Sequence, residues 1–357
     1  MRDRAISKEK LNQFVMKVAN DFGAAWSAVL VNIGDKLGLY KEMVNSGPIT
    51  SEELAKRTGT AERYIREWLA NQAAGGYVIY DSNTQKYTLP PEHALVLVDE
   101  NSSSYLMGGF QTAASFFKDE PKITSAFQSG NGVDWGDHDI NLYQGTERLF
   151  RPNYNANLIS YWIPALDNGK MEDKLKSGAK VADVGCGHGI STILMAKAYP
   201  NSSFIGFDNH NPSIEVAEKN AAQEGLDKNR IRFELATSTQ FPGDNYDLIA
   251  FFDCLHDMGD PKGAASHVLQ ALKHDGVWMI VEPFANDRLE DNLNPISRAF
   301  YASSTLVCIP ASLAHNGPAL GGQAGEVKLT DLIKSVGFNR IKLAAKTPYN
   351  LVIEAKP

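Results

Sequence analysis

The stretch VADVGCGHGIST, residues 181–192, decides the fold of the C-terminal half of the chain. It starts as a short apolar strand and passes through Gly185, Gly187 and Gly189 into an apolar helix. Glycine permits a tight turn and lets a ligand approach the backbone closely. The third glycine follows the second by two residues, whereas the dinucleotide fingerprint has a step of three. The loop predicts an α/β sheet with a ligand at the carboxyl ends of its strands.

Strand and helix patterns alternate from this loop to the end of the chain. The apolar runs SSFIGFD, RIRFELA, YDLIAFFDC and GVWMIVEPF are separated mostly by helical segments. This alternation predicts a parallel sheet with helices on both faces. The last 20 residues form a hairpin pattern, FNRIKLAAK and LVIEAKP around TPYN. The predicted fold class is therefore α/β, with a Rossmann-like seven-stranded sheet that is parallel except for an antiparallel C-terminal hairpin.

The N-terminal part has a different, mostly helical pattern. Residues 11–45 carry helical periodicity, and Thr50 with Glu53 forms a capping-box pattern before a short helix. A second helix over 61–74 and two short strands follow, which together predict a winged helix. The predicted domains are a winged-helix and dimerisation domain over 1–100, a helical linker and substrate-enclosing segment over 101–178, and the sheet domain over 179–357 with an insertion at 284–325.

Composition narrows the classes of function. The chain has 357 residues and a net charge of −7, which favours two domains and gives no general support for nucleic-acid or acidic-membrane binding. No apolar run approaches the ~18 residues of a membrane span, and the N-terminus lacks a signal-peptide core. Cys186, Cys254 and Cys308 lie far apart, and no paired histidines occur. We therefore expect a cytoplasmic protein without a metal site.

Two aspartates follow strands beside the glycine loop. Asp183 comes just before the loop, where its carboxylate can bind a cationic amino group. Asp208 ends the next strand, where a carboxylate can accept both hydroxyls of a ribose. Aspartates at such places also cap helix N-termini, so capping is the alternative interpretation.

With these residues, the C-terminal half resembles a class I S-adenosylmethionine-dependent methyltransferase. DVGCGHG resembles the first motif of that superfamily, and FDNH resembles the second. Because a winged helix is predicted at its N-terminus, the whole chain resembles the bacterial winged-helix methyltransferases of mycobacterial type. The more specific stretches are WIPALDNG, FFDCLHDMGDP (residues 251–261) and EPFANDRLEDNLNP. The resemblance covers most of the chain.

The resemblance implies S-adenosyl-L-methionine as the cofactor. It places the three glycines under the methionine and ribose, Asp183 near the amino end and Asp208 at the ribose. The stretch ATSTQF, residues 236–241, borders the adenine, where many superfamily members have an acidic residue that this chain lacks. The other implied cofactor residues are Asn209, Thr237, Ser238, Phe252 and Asp253.

The resemblance also implies a general base, His256. In the related small-molecule O-methyltransferases a His-Asp pair at this place takes the proton of the acceptor hydroxyl, which is a poor nucleophile at neutral pH. Asp257 follows His256 directly, and Glu282 ends the adjacent strand, so both carboxylates are candidates to support the imidazole. The alternative for His256 is a structural histidine that caps the following helix or bonds a loop carbonyl.

The acceptor is expected to be a small, partly apolar molecule. Aromatic residues are candidates for the wall of its pocket, although aromatics at helical spacing more often form plain core. A thiol acceptor ionises more easily than an alcohol, so S-methylation stays open as an alternative. The predicted substrate residues are Tyr154, Trp162 and Tyr301.

The winged helix raises the alternative of a DNA-binding regulator. Residues 1–100 contain 12 Lys and Arg against 13 Asp and Glu, which is a poor electrostatic match to DNA. The apolar helix over 14–37 instead favours pairing with its copy in a symmetric homodimer. We therefore predict dimerisation and substrate enclosure for this domain, with DNA binding as the alternative and no membrane partner.

Overall fold

The computed structural model describes residues 6–357 of the chain. These residues divide into two structural units. The first contains residues 6–117 and 140–152, and the second contains residues 118–139 and 153–357. The predicted linker over 101–178 is thus shared between both units.

The first unit has the helix and strand order predicted for a winged helix. Thr50 and Glu53 form the capping box in full, because each side chain accepts a hydrogen bond from the backbone N–H of the other residue. The helical periodicity over 11–45 covers two helices, since Gly38 adopts a φ of +67° and breaks it. The elements are α1 (Lys8–Lys36), α2 (Leu39–Ser46), α3 (Ser51–Thr58), α4 (Glu62–Ala74), β1 (Ile79–Asp81), β2 (Lys86–Thr88) and α5 (Pro91–Leu97).

Helix α1 leaves most of its apolar surface uncovered. By length and composition alone it is able to span a bilayer, although polar residues interrupt its apolar ones and no uninterrupted apolar run reaches that length. Only 6% of its most apolar window is buried. Lys17 and Asp21 form an ion pair of 2.7 Å on the same helix.

Helices α6 (Met107–Ser129) and α7 (Ile140–Asn157) cross in the first unit with almost no side chain between them. A Cβ added at Gly108 would lie 2.4 Å from the backbone nitrogen of Leu149. A Cβ added at Gly145 would lie 2.6 Å from the backbone nitrogen of Thr112. Two glycines therefore set the separation of the two helix backbones at this crossing.

The second unit contains the predicted seven-stranded sheet, with the strand order β5-β4-β3-β6-β7-β9-β8. Strands β3 to β7 pair in parallel, while β9 runs antiparallel to both β7 and β8. The predicted antiparallel C-terminal hairpin is confirmed. The strands are β3 (Lys180–Val184), β4 (Ser203–Asp208), β5 (Ile231–Leu235), β6 (Tyr246–Phe252), β7 (Leu272–Pro283), β8 (Arg340–Lys346) and β9 (Asn350–Lys356).

The centre of the sheet is buried and mostly apolar, and it carries the core of this unit. Every residue of β6 is buried, as expected for a central parallel strand covered on both faces. The ring of Phe251 meets that of Trp278 edge-on at 5.1 Å. The further helices of this unit are α8 (Ile163–Ala165), α9 (Lys170–Ser177), α10 (Ile190–Ala198), α11 (Asn211–Gln223), α12 (Pro261–Ala271), α13 (Pro295–Ser303), α14 (Ile309–Ala314) and α15 (Gly325–Ser335).

Two short segments of the second unit are π-helical. One is Leu158–Trp162, directly after α7, and the other is Ser304–Cys308, between α13 and α14. The second lies inside the predicted insertion at 284–325. Turns of this kind are rare and occur frequently at functional sites.

The glycine crossing leads to a stability prediction. Gly108→Ala should lower the free energy of unfolding by about 1–3 kcal/mol, because the added methyl group meets the backbone of α7, which cannot rotate away. Gly109→Ala is the matched control, since its Cβ would find only Leu149 Cδ1 at 3.8 Å. The control should be neutral or slightly stabilising. Thermal and urea unfolding measure both variants, and equal stabilities would contradict the close crossing.

Candidate functional site

The glycine loop between β3 and α10 is tightly packed at both ends and open at its middle. Gly185, Gly187 and Gly189 all have φ between +51° and +79°, the left-handed region that favours glycine. A Cβ at Gly185 would lie 2.7 Å from Cys254 Sγ, and one at Gly189 would lie 2.7 Å from the ring of Phe233. A Cβ at Gly187 would meet nothing within 4 Å. The loop therefore packs at both ends and leaves its centre open to a ligand.

Asp183 is a buried carboxylate with one free oxygen. Its Oδ2 accepts hydrogen bonds of 2.6 Å from the hydroxyls of Ser191 and Thr192. Its Oδ1 has no hydrogen-bond partner among the described residues. Burial raises the pKa of Asp183 to about 6 despite these two bonds, and the nearby Asp208 adds to the rise. An unpartnered, buried acceptor of this kind suits a cationic ligand group.

Asp208 holds the glycine loop from the end of β4. Its Oδ2 accepts the backbone N–H of Gly187 at 2.8 Å, and its Oδ1 accepts the backbone N–H of His210 at 2.9 Å. Burial raises its pKa. Asp208 thus shapes the loop without capping a helix, since His210 is the N-cap residue of α11 and not part of its first turn. Each carboxylate oxygen keeps a lone pair for a hydroxyl.

The residues predicted near a ribose and an adenine lie beside Asp208. Asn209 follows it and is exposed. The carbonyl of Asp208 accepts the backbone N–H of Ala236 at 2.9 Å, which brings the start of ATSTQF to the same edge. Thr237 is exposed and Ser238 is half-buried in the turn after β5. The two predicted stretches are therefore neighbours.

His256 and Glu282 form a buried pair at the carboxyl ends of β6 and β7. His256 lies in a single 3₁₀ turn, Leu255–Asp257, and exposes 4% of its surface, while Glu282 exposes 1%. His256 Nδ1 lies 2.5 Å from Glu282 Oε2, and Glu282 Oε1 accepts the backbone N–H of Leu255 at 2.9 Å. Glu282 thus fixes both the imidazole and the turn that carries it.

The second ring nitrogen of His256 faces a residue from the insertion. Nε2 lies 3.3 Å from Cys308 Sγ, at the end of the π-helical segment. Burial alone would lower the pKa of His256, but the charge of Glu282 and the contact with Cys308 outweigh burial and hold the pKa well above its usual value. Burial raises the pKa of Asp257 to about 7, although the charge of His256 opposes the rise.

Asp253 follows β6 in a left-handed conformation, with a φ of +52°. Its Oδ2 accepts the hydroxyl of Tyr154 at 2.6 Å, and its Oδ1 accepts Asn350 Nδ2 at 3.0 Å. Burial raises the pKa of Asp253 to about 7. The Tyr154 ring lies 5.4 Å from that of Phe252. Tyr154, Phe252 and Asp253, predicted separately for acceptor and cofactor, are thus brought together.

The other two predicted substrate residues differ in exposure. Trp162 exposes none of its surface and meets the ring of Tyr154 edge-on at 5.8 Å. It therefore lies behind Tyr154 in the core of the second unit. Tyr301 is half-buried on α13.

Several residues at the site escaped sequence reasoning. Asn350 is fully buried at the start of β9, and Cys308 lies 52 residues after His256. Only the hairpin pattern and the long insertion signalled that these segments return to the site. One ligand atom each of His256, Asp257 and Cys308 lies within 4.8 Å of the others, a grouping with no local sequence spacing.

The charges of the site are predominantly negative. Acidic side chains from four strand ends converge here, and the imidazole of His256 lies among them. Such a field favours a cationic ligand. The acidic residues are Asp183, Asp208, Asp253, Asp257 and Glu282.

Two family models match separate parts of the chain. Residues 25–99 match the Rv2258c-like winged HTH domain. Residues 175–326 match a methyltransferase domain. The second match contains the glycine loop, Asp208, His256 and Glu282.

Curated relatives match about a third of the chain. The uncharacterized methyltransferase YcgJ of Bacillus subtilis is 31% identical over 121 residues, which are 33% of this chain and 47% of that protein. A ubiquinone biosynthesis O-methyltransferase of Actinobacillus pleuropneumoniae is 33% identical over 104 residues, 28% of this chain and 44% of that protein. The chain thus spans less than half the length of each.

Solved structures match nearly the whole chain. Human N-acetylserotonin methyltransferase, solved in complex with SAM, superposes with a TM-score of 0.70 at 15% identity and 99% coverage of both chains. An O-methyltransferase family protein from Burkholderia thailandensis gives 0.69 at 15% identity and the same coverage. At this identity the likeness establishes the fold. The chain thus combines a region that matches the Rv2258c-like winged HTH domain with a region that matches a methyltransferase domain, and it shares its fold with these methyltransferase structures.

Proposed function

We propose that this protein transfers a methyl group from S-adenosyl-L-methionine to a hydroxyl oxygen of a small molecule, with His256 as the general base. The observation that carries the proposal is the buried His256–Glu282 pair at the crevice where the methyltransferase fold binds its ligands. The pair occupies Nδ1, so Nε2, which faces Cys308 Sγ at 3.3 Å, is the ring nitrogen that would meet an acceptor.

The residues of the second unit fit the cofactor. The open centre of the loop at Gly187 admits its methionine and ribose, and the free Oδ1 of Asp183 suits its amino group. Asp208 and Asn209 would hold the ribose hydroxyls, with Thr237 and Ser238 beside the adenine. Phe252 and Asp253 would face the sulfonium, which the negative site favours. The bound cofactor would supply a methyl group that is already a strong electrophile.

The catalytic contribution of the chain is then positioning and proton removal. In the neutral ring, Glu282 accepts the Nδ1 proton of His256 and leaves the lone pair on Nε2. Because the pKa of His256 is held well above its usual value, this neutral form becomes populated as the pH rises. Nε2 takes the proton of the acceptor hydroxyl as the oxygen attacks. The Glu282 carboxylate stabilises the imidazolium that forms, and Asp257 adds negative charge beside it.

An oxygen acceptor agrees best with this arrangement. A thiol ionises more readily than an alcohol and needs less help from a base, so an oriented His-Glu pair would be of little use to it. Several solved structures of this fold carry O-methyltransferase in their names, among them the mitomycin 7-O-methyltransferase MmcR. Tyr154 and Tyr301 are the candidates for the acceptor pocket. S-methylation is the second candidate function.

We further propose that the first unit forms a homodimer through α1 and that the protein is cytoplasmic. Apolar side chains recur on α1 at steps of three and four residues and are exposed, Trp26 by 70%. A second copy offers the same apolar seam, whereas the Lys17–Asp21 ion pair on the helix disfavours a bilayer. The exposed seam comprises Leu11, Phe14, Val15, Val18, Phe22, Trp26, Val29 and Ile33.

DNA binding is the weaker alternative for this unit. On the second helix of the winged helix, Arg63 and Arg66 pair with Glu67 and Glu62 at 2.5 and 2.6 Å. Their charges are thus neutralised within the helix instead of being offered to phosphates. Salt-sensitive binding in a gel-shift titration at low salt would favour a regulator instead.

His256→Ala should retain cofactor affinity and lose turnover by about 10²–10⁴-fold, because the variant lacks the proton acceptor. The turnover of Glu282→Gln should lie between that of His256→Ala and that of the wild type, because the glutamine amide keeps a hydrogen bond to the imidazole but carries no charge. Isothermal titration with the cofactor and an assay of demethylated cofactor measure both effects. His274→Ala is the control, because His274 is exposed. Normal turnover in His256→Ala would exclude His256 as the base.

Trp26→Lys should convert the dimer to a monomer, because it places a charge in the apolar seam of α1. Size-exclusion chromatography with light scattering measures the mass. Tyr64→Lys is the control, since Tyr64 is 80% exposed on α4, outside the seam. A monomeric wild type, or a dimer unaffected by Trp26→Lys, would contradict the assigned interface.

A further inference from the structure

Three neighbouring side chains, those of His256, Asp257 and Cys308, carry the donor atoms of a transition-metal site. One ligand atom each of His256, Asp257 and Cys308 lies within 4.8 Å of the others. A tetrahedral zinc ion with bonds of about 2.0 Å to nitrogen and about 2.3 Å to sulfur separates these two atoms by about 3.5 Å. The observed separation of His256 Nε2 and Cys308 Sγ is 3.3 Å. The nitrogen and sulfur thus already stand at the spacing of ligands to one ion.

The other side of the imidazole has the support that metal-bound histidines need. A ligating histidine usually donates its second ring N–H to a carboxylate, which fixes the ring and raises its basicity. Glu282 Oε2 provides this contact to His256 Nδ1 at 2.5 Å and is itself held by the backbone N–H of Leu255. This observation is independent of the grouping of the three ligand atoms, because Glu282 lies on the opposite side of the ring.

The charge and exposure of the three residues also suit a cation. His256 is buried, whereas Asp257 and Cys308 are half-buried. Three protein ligands leave a fourth position for water, as in catalytic zinc sites. The mixed nitrogen, sulfur and oxygen set favours zinc over magnesium, which prefers oxygen ligands alone.

We propose that the His256–Asp257–Cys308 cluster binds a zinc ion reversibly and that the ion inhibits the enzyme. The thiol of Cys308 loses its proton to solvent as the sulfur–metal bond forms. The ion occupies Nε2 of His256, so this nitrogen no longer accepts the proton of a hydroxyl. Binding of the ion depends only on the cluster, whereas inhibition rests on the proposed function of His256.

Titration of the purified, metal-free protein with Co²⁺, and then competition with Zn²⁺, tests the site directly. One Co²⁺ per chain should produce a thiolate-to-cobalt charge-transfer absorption, and Zn²⁺ should displace it. Cys308→Ser should remove this absorption and weaken Zn²⁺ binding at least tenfold. Glu282→Gln should weaken Zn²⁺ binding by about 10–100-fold through the loss of imidazole orientation. Cys254→Ser should leave the cobalt absorption and the Zn²⁺ affinity unchanged, because the Cys254 thiol contacts the carbonyl of Val184 at 3.4 Å and lies outside the cluster.

Turnover of the same proteins with added Zn²⁺ tests the inhibition. Zn²⁺ should inhibit the wild type and the Cys254→Ser variant. The Cys308→Ser variant should need at least tenfold more Zn²⁺ for the same inhibition. The proposal is overturned if the wild type shows no thiolate–cobalt absorption, if Cys308→Ser binds Zn²⁺ as tightly as the wild type, or if Cys254→Ser abolishes binding. If no methyl transfer is found, the cobalt titration still decides whether the site exists, so failure of the proposed function is separable from failure of this inference.

Discussion

The site depends on one contact, the 2.5 Å hydrogen bond between His256 Nδ1 and Glu282 Oε2. The register of β6 and β7 produces it, because Phe252 stands opposite Val281 and Glu282 is therefore level with the first residues after β6. A single 3₁₀ turn then brings the imidazole back over the strand end. Because both groups are buried, the loss of either would leave the other without its partner, which is costly in a low-dielectric interior.

The surrounding structure holds this pair in place from three directions. Glu282 also accepts the backbone N–H of Leu255, so one carboxylate fixes the ring and its turn. The antiparallel strand β9 pairs with the end of β7, and its first residue, Asn350, donates a hydrogen bond to Asp253. The π-helical segment Ser304–Cys308 brings a thiol to the open ring nitrogen. The negative charges of the site make it receptive to cations, which agrees with both a sulfonium cofactor and a metal ion.

The main features of the fold followed from the sequence because they depend on local pattern. The alternation of strands and helices predicted the sheet, the Thr50–Glu53 spacing predicted a cap, and the strand ends predicted that His256 and Glu282 would meet. Cys308 and Asn350 were not predicted, since their positions depend on how a long insertion and the terminal hairpin pack. The two hydrogen bonds of Asp208 to backbone N–H groups were likewise not apparent, because they depend on the exact path of the glycine loop.

The two units differ in the kinds of surface and site that they contain. The second unit has a buried polar site on a rigid sheet, which suits chemistry. The first unit has an exposed apolar helix and arginines already paired with glutamates, which suits association between copies more than contact with phosphate. In the proposed function, the exposed seam of α1 serves assembly and the buried His256–Glu282 pair serves catalysis.

The most direct test of the central claim is a screen of acceptor classes with S-adenosylmethionine that carries a labelled methyl group. Phenols, aliphatic hydroxyl compounds, thiols and amines are incubated with the purified protein, and both demethylated cofactor and the labelled product are quantified. Label transferred to the oxygen of a phenol or an alcohol is the expected result. Label found only on sulfur or nitrogen, or no turnover of the cofactor with any class, would contradict the assignment of an O-methyltransferase.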